Sequence, residues 1–308
     1  WAIGAEKSVD GRGLLLANPH FPHTGILRFW QLNTTIPGVL VVMGASIAGT
    51  HGIVNIGFNE HLAWTHTFST AEHVIAYQLA LDPADPTGLS YIVDGVSKAI
   101  TRKTLSLDVA VAPGVTLPFS KHVYYSEFGP LFVVPNQMPW GTNNGQFSAF
   151  ALKDANRANP DIVDHWLGMN LARNLDEFKA AFQQYDGVIF NNTMAADDRG
   201  NAFYIDDSTV PQLSDVAEQA LRTNPQLQQL RKLTGFSILP GNSAVFDFSS
   251  SVPYDKAPQL QRRDFVQNSN DSFWLTNPAQ PLTNASILYG KVNNQQTLRS
   301  RMGQKLLQ

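Results

Sequence analysis

The chain has 308 residues, 43% of them hydrophobic and only 15% charged, with 22 Gly, 18 Pro and no Cys. A formal net charge of −3 without a basic stripe argues against nucleic acid as a partner, and no run approaches the ~18 apolar residues of a membrane span. The missing cysteines exclude disulfides and thiolate catalysis.

The length allows one large domain or two modest ones, and the low charge suggests a surface partly covered by another chain. No initiator Met or signal peptide is visible, and Trp1 starts abruptly inside a strand-like run, so a processed or truncated chain is expected. Residues 1–5 are short and apolar, residues 8–13 supply a turn, and residues 14–17 complete a hairpin-like pair. That second strand runs into Asn18-Pro19-His20-Phe21-Pro22, where two prolines stop regular pairing. Residues 27–36 and 39–45 read as a hairpin across Pro37-Gly38, and 53–58 and 62–68 as another across Asn59-Glu60-His61. Strands on such short connectors predict a large antiparallel sheet. From 74 to 121 the pattern stays β-like but looser, with a loop at 82–88 and a turn at Asp94-Gly95. Residues 124–135 are aromatic and apolar around Gly129-Pro130.

The register changes at Asn159-Pro160-Asp161. Ile162, Trp166, Met169 and Leu171 fit helical spacing with Asp161 as a start signal, and a second helix is expected from Asn174 through Phe178, Ala181 and Phe182. Residues 188–196 return to strand, and Asp197-Asp198-Arg199-Gly200 turns the chain into 201–205. Residues 207–260, rich in Gln, Ser and Pro, read as a surface excursion whose weakly helical patch at 218–232 is interrupted by Pro225. A loop at 278–294 precedes a helical end at 297–307. Roughly two to three dozen helical residues between long β stretches predict an α+β architecture, stacked antiparallel sheets with helices outside.

Three places could carry chemistry. Asn268-Ser269-Asn270-Asp271-Ser272 lies between apolar Phe265-Val266 and Phe273-Trp274-Leu275. Amides held there need partners, since an unpaired buried amide costs about 1–3 kcal/mol, although a plain Ser/Asn turn between strands would read the same way. His20 and His23 form an H-x-x-H pair with no third ligand at metal spacing, so His20 is either a satisfied core residue or one that orients a nucleophile. Residues 64–70 resemble a strand running into a hydroxyl-rich loop, where a backbone N–H is a natural oxyanion donor. There is no G-x-S-x-G elbow, phosphate loop or outstanding carboxylate pair. The residues therefore offer oxyanion donors and a His, but no internal nucleophile.

Four ordered stretches, WAIG at 1–4, ANPHFP at 17–22, HLAWTHT at 61–67 and NSNDS at 268–272, together resemble the penicillin acylase family of N-terminal-nucleophile (Ntn) hydrolases. The likeness runs along essentially the whole chain and is greatest to its acyl-homoserine-lactone acylases and aculeacin-type lipopeptide acylases. It implies an αββα sandwich, with residues 1–308 as the N-terminal part of a β chain. It also implies a periplasmic location, an α chain from the same precursor and the remainder of the β chain as partners, and a small-molecule acyl amide as substrate. The activity implied is amide cleavage of N-acyl-homoserine lactones (quorum quenching), with β-lactams or lipopeptides as alternatives. The nucleophile would be an N-terminal Ser three positions ahead of Trp1, its α-amino group of pKa about 7.7–8.0 acting as base. From a different class, the alternative is a non-catalytic binding chain that kept the pocket and lost the nucleophile.

Carried over position by position, the resemblance makes His20 the residue that orients the Ser. The Phe68 backbone N–H and the Asn270 amide become oxyanion donors, and Arg299 (or Arg301) holds Asn270. Phe21, Leu27, Ile47, Trp166 and Phe190, with Phe68, resemble an acyl slot in which each buried methylene contributes ~0.8 kcal/mol. Phe68 is large for its place and would shorten the slot or favour an aromatic acyl group. No cofactor is implied. Where penicillin-cleaving relatives bind calcium through Asp-x-Val-Asp, this chain has Glu72-His73-Val74-Ile75, so no metal is expected.

Overall fold

The alternating apolar stretches of the first quarter fold into β1 (Ala2–Ile3), β2 (Leu14–Leu15), β3 (Phe29–Ile36), β4 (Leu40–Ile47), β5 (Ile56–Asn59) and β6 (Leu62–Phe68). Next come β7 (Val74–Leu81), β8 (Ser90–Val93), β9 (Val96–Ala99), β10 (Thr101–Ala112) and β11 (Val115–Ser126). They are followed by β12 (Gly129–Phe132), β13 (Gly141–Asn143) and β14 (Gln146–Asp154). Helices α1 (Ile162–Leu171) and α2 (Leu175–Gln184) lead to β15 (Asn191–Asp197) and β16 (Ala202–Ile205). Helices α3 (Asp215–Thr223) and α4 (Pro225–Thr234) precede β17 (Ile238–Pro240), β18 (Gln259–Arg262), β19 (Phe265–Val266) and α5 (Leu298–Leu307). This computed structural model describes residues 1–50, 52–143 and 145–308. They form two compact units.

The first unit comprises Trp1–His73, Ala158–Val210 and Ser251–Gln308. Its main sheet is seven-stranded, in the order β18-β16-β15-β6-β5-β4-β3, and a smaller sheet runs β19-β1-β2. The small sheet stacks on the large one, β1 against β15 and β16, and β2 against β6 and β15. Helices α1 and α2 cover the other face, against β4 and β15. Covered on both sides, β15 is buried along its whole length. The period-2 alternation of β6 sorts its side chains between the layers. Trp64 meets Phe178 of α2 and His66 meets Trp166 of α1, with centroids 6.3 and 4.5 Å apart, while Thr67 faces the smaller sheet's side. Helix α5 lies against the indole of Trp1, beside β1. The unit is thus the α+β sandwich of stacked antiparallel sheets flanked by helices that the sequence predicts.

Local differences from the sequence reading have identifiable causes. The strand expected over 53–58 begins at Ile56, because the Asn170 side chain takes both backbone groups of Val54, at 2.8 Å each. Asp161 precedes α1, but its carboxylate accepts from the Asp186 N–H (3.1 Å) rather than capping the helix. Helix α2 starts where expected, Asn174 accepting from Glu177 N while Glu177 accepts from Arg173 N, each at 2.9 Å. The polar run at 268–272 is followed by a 3-10 turn, Phe273–Leu275, rather than a strand.

The second unit comprises Val74–Arg157 and Pro211–Ser250. Its nine-stranded sheet runs β10-β11-β12-β14-β7-β8-β9, with β13 on β14 and β17 parallel to β7. Ala76, Met138, Phe150 and Ile238 form one buried apolar cluster in it. The patch at 218–232 is two helices, and Pro225 is the first residue of α4, where its missing N–H costs nothing. No helix among the described residues is long and apolar enough to cross a membrane.

Candidate functional site

The end of β6 sets the site. Ser69 N–H donates to Phe190 O (3.0 Å), which makes 69 and 190 a hydrogen-bonded pair and leaves Phe68 opposite Asn191 in a non-bonded one. In an antiparallel ladder the backbone groups of Phe68 must then point away from β15. On that side β5 pairs only with residues 63 and 64 of β6, so the Phe68 N–H is directed past the start of β5. A cavity of about 460 Å³ opens in this unit, with Phe68 in its wall.

The cavity is mostly aromatic and aliphatic. Phe21 stacks at 6.0 Å from Phe68, which stacks at 4.9 Å from Phe190, and Phe29 lies 4.4 Å from Phe21. Ile47 comes from the end of β4, and Ile162 and Trp166 come from α1. Asn18 and His20 stand at the polar side, the Asn18 amide within 3.3 Å of the His20 Nε2. His66 also lines the cavity. Its Nδ1 is 3.0 Å from the Thr193 hydroxyl, and burial pushes the ring down to about 3, so it is neutral at physiological pH.

Asn270 contributes the second polar wall, and its neighbours fix its direction. Asn268 is buried, and its Oδ1 accepts from the Thr67 hydroxyl (2.6 Å) and from Asn270 N–H (2.8 Å), while its Nδ2 donates to Asp271 O (2.9 Å). Asn270 adopts φ of +64°, a left-handed conformation that Asn tolerates better than most residues. Arg299, in the first turn of α5, donates to Asn270 Oδ1 (2.8 Å) and to Ser269 O. With its oxygen occupied by a guanidinium, Asn270 can offer only its N–H groups, one of which makes a long 3.4 Å contact to Phe68 O. The Asn192 amide also donates to that carbonyl, at 3.1 Å.

Behind this wall, Ser69 Oγ donates to Asp206 (2.5 Å) and accepts from Ala71 N–H (2.9 Å). Burial pushes the Asp206 carboxyl up to about 6, against hydrogen bonds from Ser208 and Ser69 that favour its charge. Among the described residues, no group of three or more His, Asp or Glu side chains is arranged to hold a metal.

The structure therefore gathers His20, Phe21, Ile47, Phe68, Trp166, Phe190 and Asn270 on one cavity, with Arg299 reaching it through Asn270. Leu27 does not line it and is half exposed. Arg301, the competing choice to hold Asn270, instead lines a separate surface hollow with Trp274 and Gln304. Sequence reasoning missed Asn192, Phe29 and Ile162 as parts of the site, and it singled out the stretches holding His66 and Asn268 without giving those two a role. His66 carried a further signal, two residues from Phe68 on the same strand face.

One expectation is overturned. The expected cleavage of N-acyl-homoserine lactones rests on an N-terminal Ser three positions ahead of Trp1, and residue 1 is Trp. The Trp1 nitrogen donates to Leu16 O at 3.0 Å. These 308 residues do not themselves hold the N-terminal Ser on which the lactone-acylase expectation depends.

Comparisons with known proteins agree with the fold. Residues 1–308 match the penicillin amidase family along their whole length. The chain is similar to acyl-homoserine lactone acylase PvdQ of Pseudomonas fluorescens strain Pf0-1, 41% identical over 97% of this chain and 38% of that protein. It is also similar to aculeacin-A acylase of Actinoplanes utahensis, 34% identical over 98% of this chain and 38% of that protein. A thermostable penicillin G acylase from Alcaligenes faecalis shares the fold, with a TM-score of 0.68 at 17% identity, covering 94% of this chain and 46% of that one. The chain spans a little over a third of the length of the curated relatives it matches.

Proposed function

The chain belongs to the penicillin amidase family, and from that premise we propose that residues 1–308 are the ligand-binding part of an acyl-amide-processing protein. They hold an apolar acyl group in the cavity and its carbonyl oxygen between the Phe68 N–H and the Asn270 amide. A periplasmic location is consistent with this bacterial family.

The observation that carries the reading is the orientation of Asn270. An amide whose oxygen is tied down by Arg299, at the rim of an aromatic cavity, is prearranged to donate to an acceptor on an otherwise apolar ligand. Acylase chemistry of a general kind, in the names of both curated relatives, supports the same ligand class for the whole protein, with further polypeptide of that protein as partner. Lipopeptide-type acyl amides are a second reading, supported by the likeness to aculeacin-A acylase and by the cavity's volume of about 460 Å³.

Calorimetric titration with acyl amides of increasing chain length tests the proposal. Affinity should rise severalfold per methylene, about 0.8 kcal/mol each, and level off when the cavity is full. Ile47→Trp should move that plateau to shorter chains. Affinity that ignores chain length would remove the acyl-binding reading.

A further inference from the structure

Asp206 is a buried carboxylate one residue beyond the end of β16. Its N–H donates to Pro258 O at 3.0 Å, which fixes its backbone from the β18 side. Its side chain reaches from β16 past the intervening β15 to the end of β6. Both oxygens are engaged there. Oδ2 accepts from the Ser69 hydroxyl (2.5 Å), and Oδ1 accepts from the Ser208 hydroxyl (2.5 Å) and the Ser208 N–H (3.3 Å). None of these donors is a cation. Burying a carboxylate without one is costly, so short, charge-assisted bonds from hydroxyls must hold it.

Ser69 is where β6 most needs holding. The pairing with β15 closes there with one bond, Ser69 N–H to Phe190 O, and β5 pairs with β6 only at residues 63 and 64. A strand end tied along one edge alone frays readily. The Ser69 side chain supplies the second anchor: its Oγ donates to Asp206 and accepts from Ala71 N–H at 2.9 Å, a turn that sets the chain's exit from the strand. Phe68 comes immediately before, and its oxygen is taken by the Asn192 and Asn270 amides. The peptide between 68 and 69 is thus tied at its oxygen and its nitrogen, and Ser69 by its side chain. Little freedom remains for the Phe68 N–H to turn.

We infer that Asp206 is a positioning residue for the ligand's carbonyl: through the Ser69 hydroxyl it holds the Phe68 N–H in the direction from which that donor meets the carbonyl oxygen. The inference rests on the reading that residues 1–308 bind an acyl amide with its carbonyl at Phe68 and Asn270. Asp206 does not line the cavity, and other residues hold the acyl chain. Its loss should therefore be felt at the carbonyl and not along the chain.

The test is calorimetric titration of the intact protein with two ligands, an acyl amide and the matched alkyl ether, which fills the same cavity without a carbonyl. Ser69→Ala should weaken the amide about tenfold and leave the ether within about twofold of the parent, the change expected when one hydrogen bond is lost. Asp206→Ala should do the same, and the double variant should lose no more than either alone, since both break one chain of contacts. Asp206→Asn, whose side-chain oxygen can still accept from Ser69, should restore most of the amide affinity. Ser69→Ala alone decides the matter if Asp206→Ala fails to fold. Equal weakening of amide and ether would mean that Asp206 only supports the fold, and would overturn the inference. So would additive losses in the double variant, or full amide affinity in Ser69→Ala. A parent protein that binds amide and ether equally well would remove the carbonyl-binding reading itself, and this inference with it.

Discussion

At the scale of single residues, the site depends on where amides point. Asn268 and Arg299 both act on Asn270, but in different environments, and their removal should read differently. Asn268→Ala leaves the Thr67 hydroxyl, the Asn270 N–H and the Asp271 carbonyl without their partner inside the fold. Chemical denaturation should show a loss of about 2–4 kcal/mol, the scale of a broken buried network. Arg299 is exposed, so Arg299→Ala should hardly move the melting temperature. It should nevertheless weaken binding of an acyl amide about tenfold, because the Asn270 amide is then free to turn its oxygen toward the ligand. A variant that binds as tightly as the parent would show that Asn270 keeps its direction by other means.

At the scale of elements, one side chain ties helix α1 to the segment that leads into β5. Asn170 accepts from Val54 N–H and donates to Val54 O and to Trp166 O, each at 2.8 Å, in a fully buried setting. Asn170→Ala should cost about 2–4 kcal/mol in urea unfolding. Because α1 carries Ile162 and Trp166 into the cavity, the variant should also blunt the dependence of affinity on chain length. That same side chain explains what could and could not be read beforehand. The strands of the first quarter and the starts of α1 and α2 were legible, since alternation, turn residues and caps are local signals. The late start of β5 was not, because its cause lies more than a hundred residues away in Asn170. The polar run at 268–272 stood out by composition, yet the direction of Asn270 depends on Arg299 in another element. Leu27 fitted the acyl slot by its position along the chain, and the fold leaves it outside.

At the scale of the whole molecule, two buried groups give stability opposite slopes with pH. The Asp206 carboxyl titrates at about 6 when folded against an ordinary 3.8, so the native state holds its proton over a range where the unfolded chain has lost it. Its contribution to stability therefore falls as pH rises from about 4 to 6, by on the order of 3 kcal/mol. His66 works the other way: the unfolded ring takes a proton below pH 6.5 and the buried ring resists until about 3, so stability is lost as pH falls through that window. Asp207, beside Asp206, is also pushed up by burial, so only a difference measurement isolates one carboxyl. Asp206→Asn should be progressively more stable relative to the parent between pH 4 and 7, measured by unfolding at each pH. A constant difference would mean that Asp206 titrates as an ordinary surface carboxylate.

The family relationship, the sandwich and the cavity support the proposal that this chain holds an acyl carbonyl. The most direct measurement is a crystal structure of the protein with a hydrolysis-resistant acyl amide bound. The acyl chain should lie among Phe21, Phe68, Trp166 and Phe190, its carbonyl oxygen within hydrogen-bond distance of both Phe68 N and Asn270 Nδ2. An acyl group lodged elsewhere, or a carbonyl oxygen turned away from both donors, would contradict the assignment of this cavity.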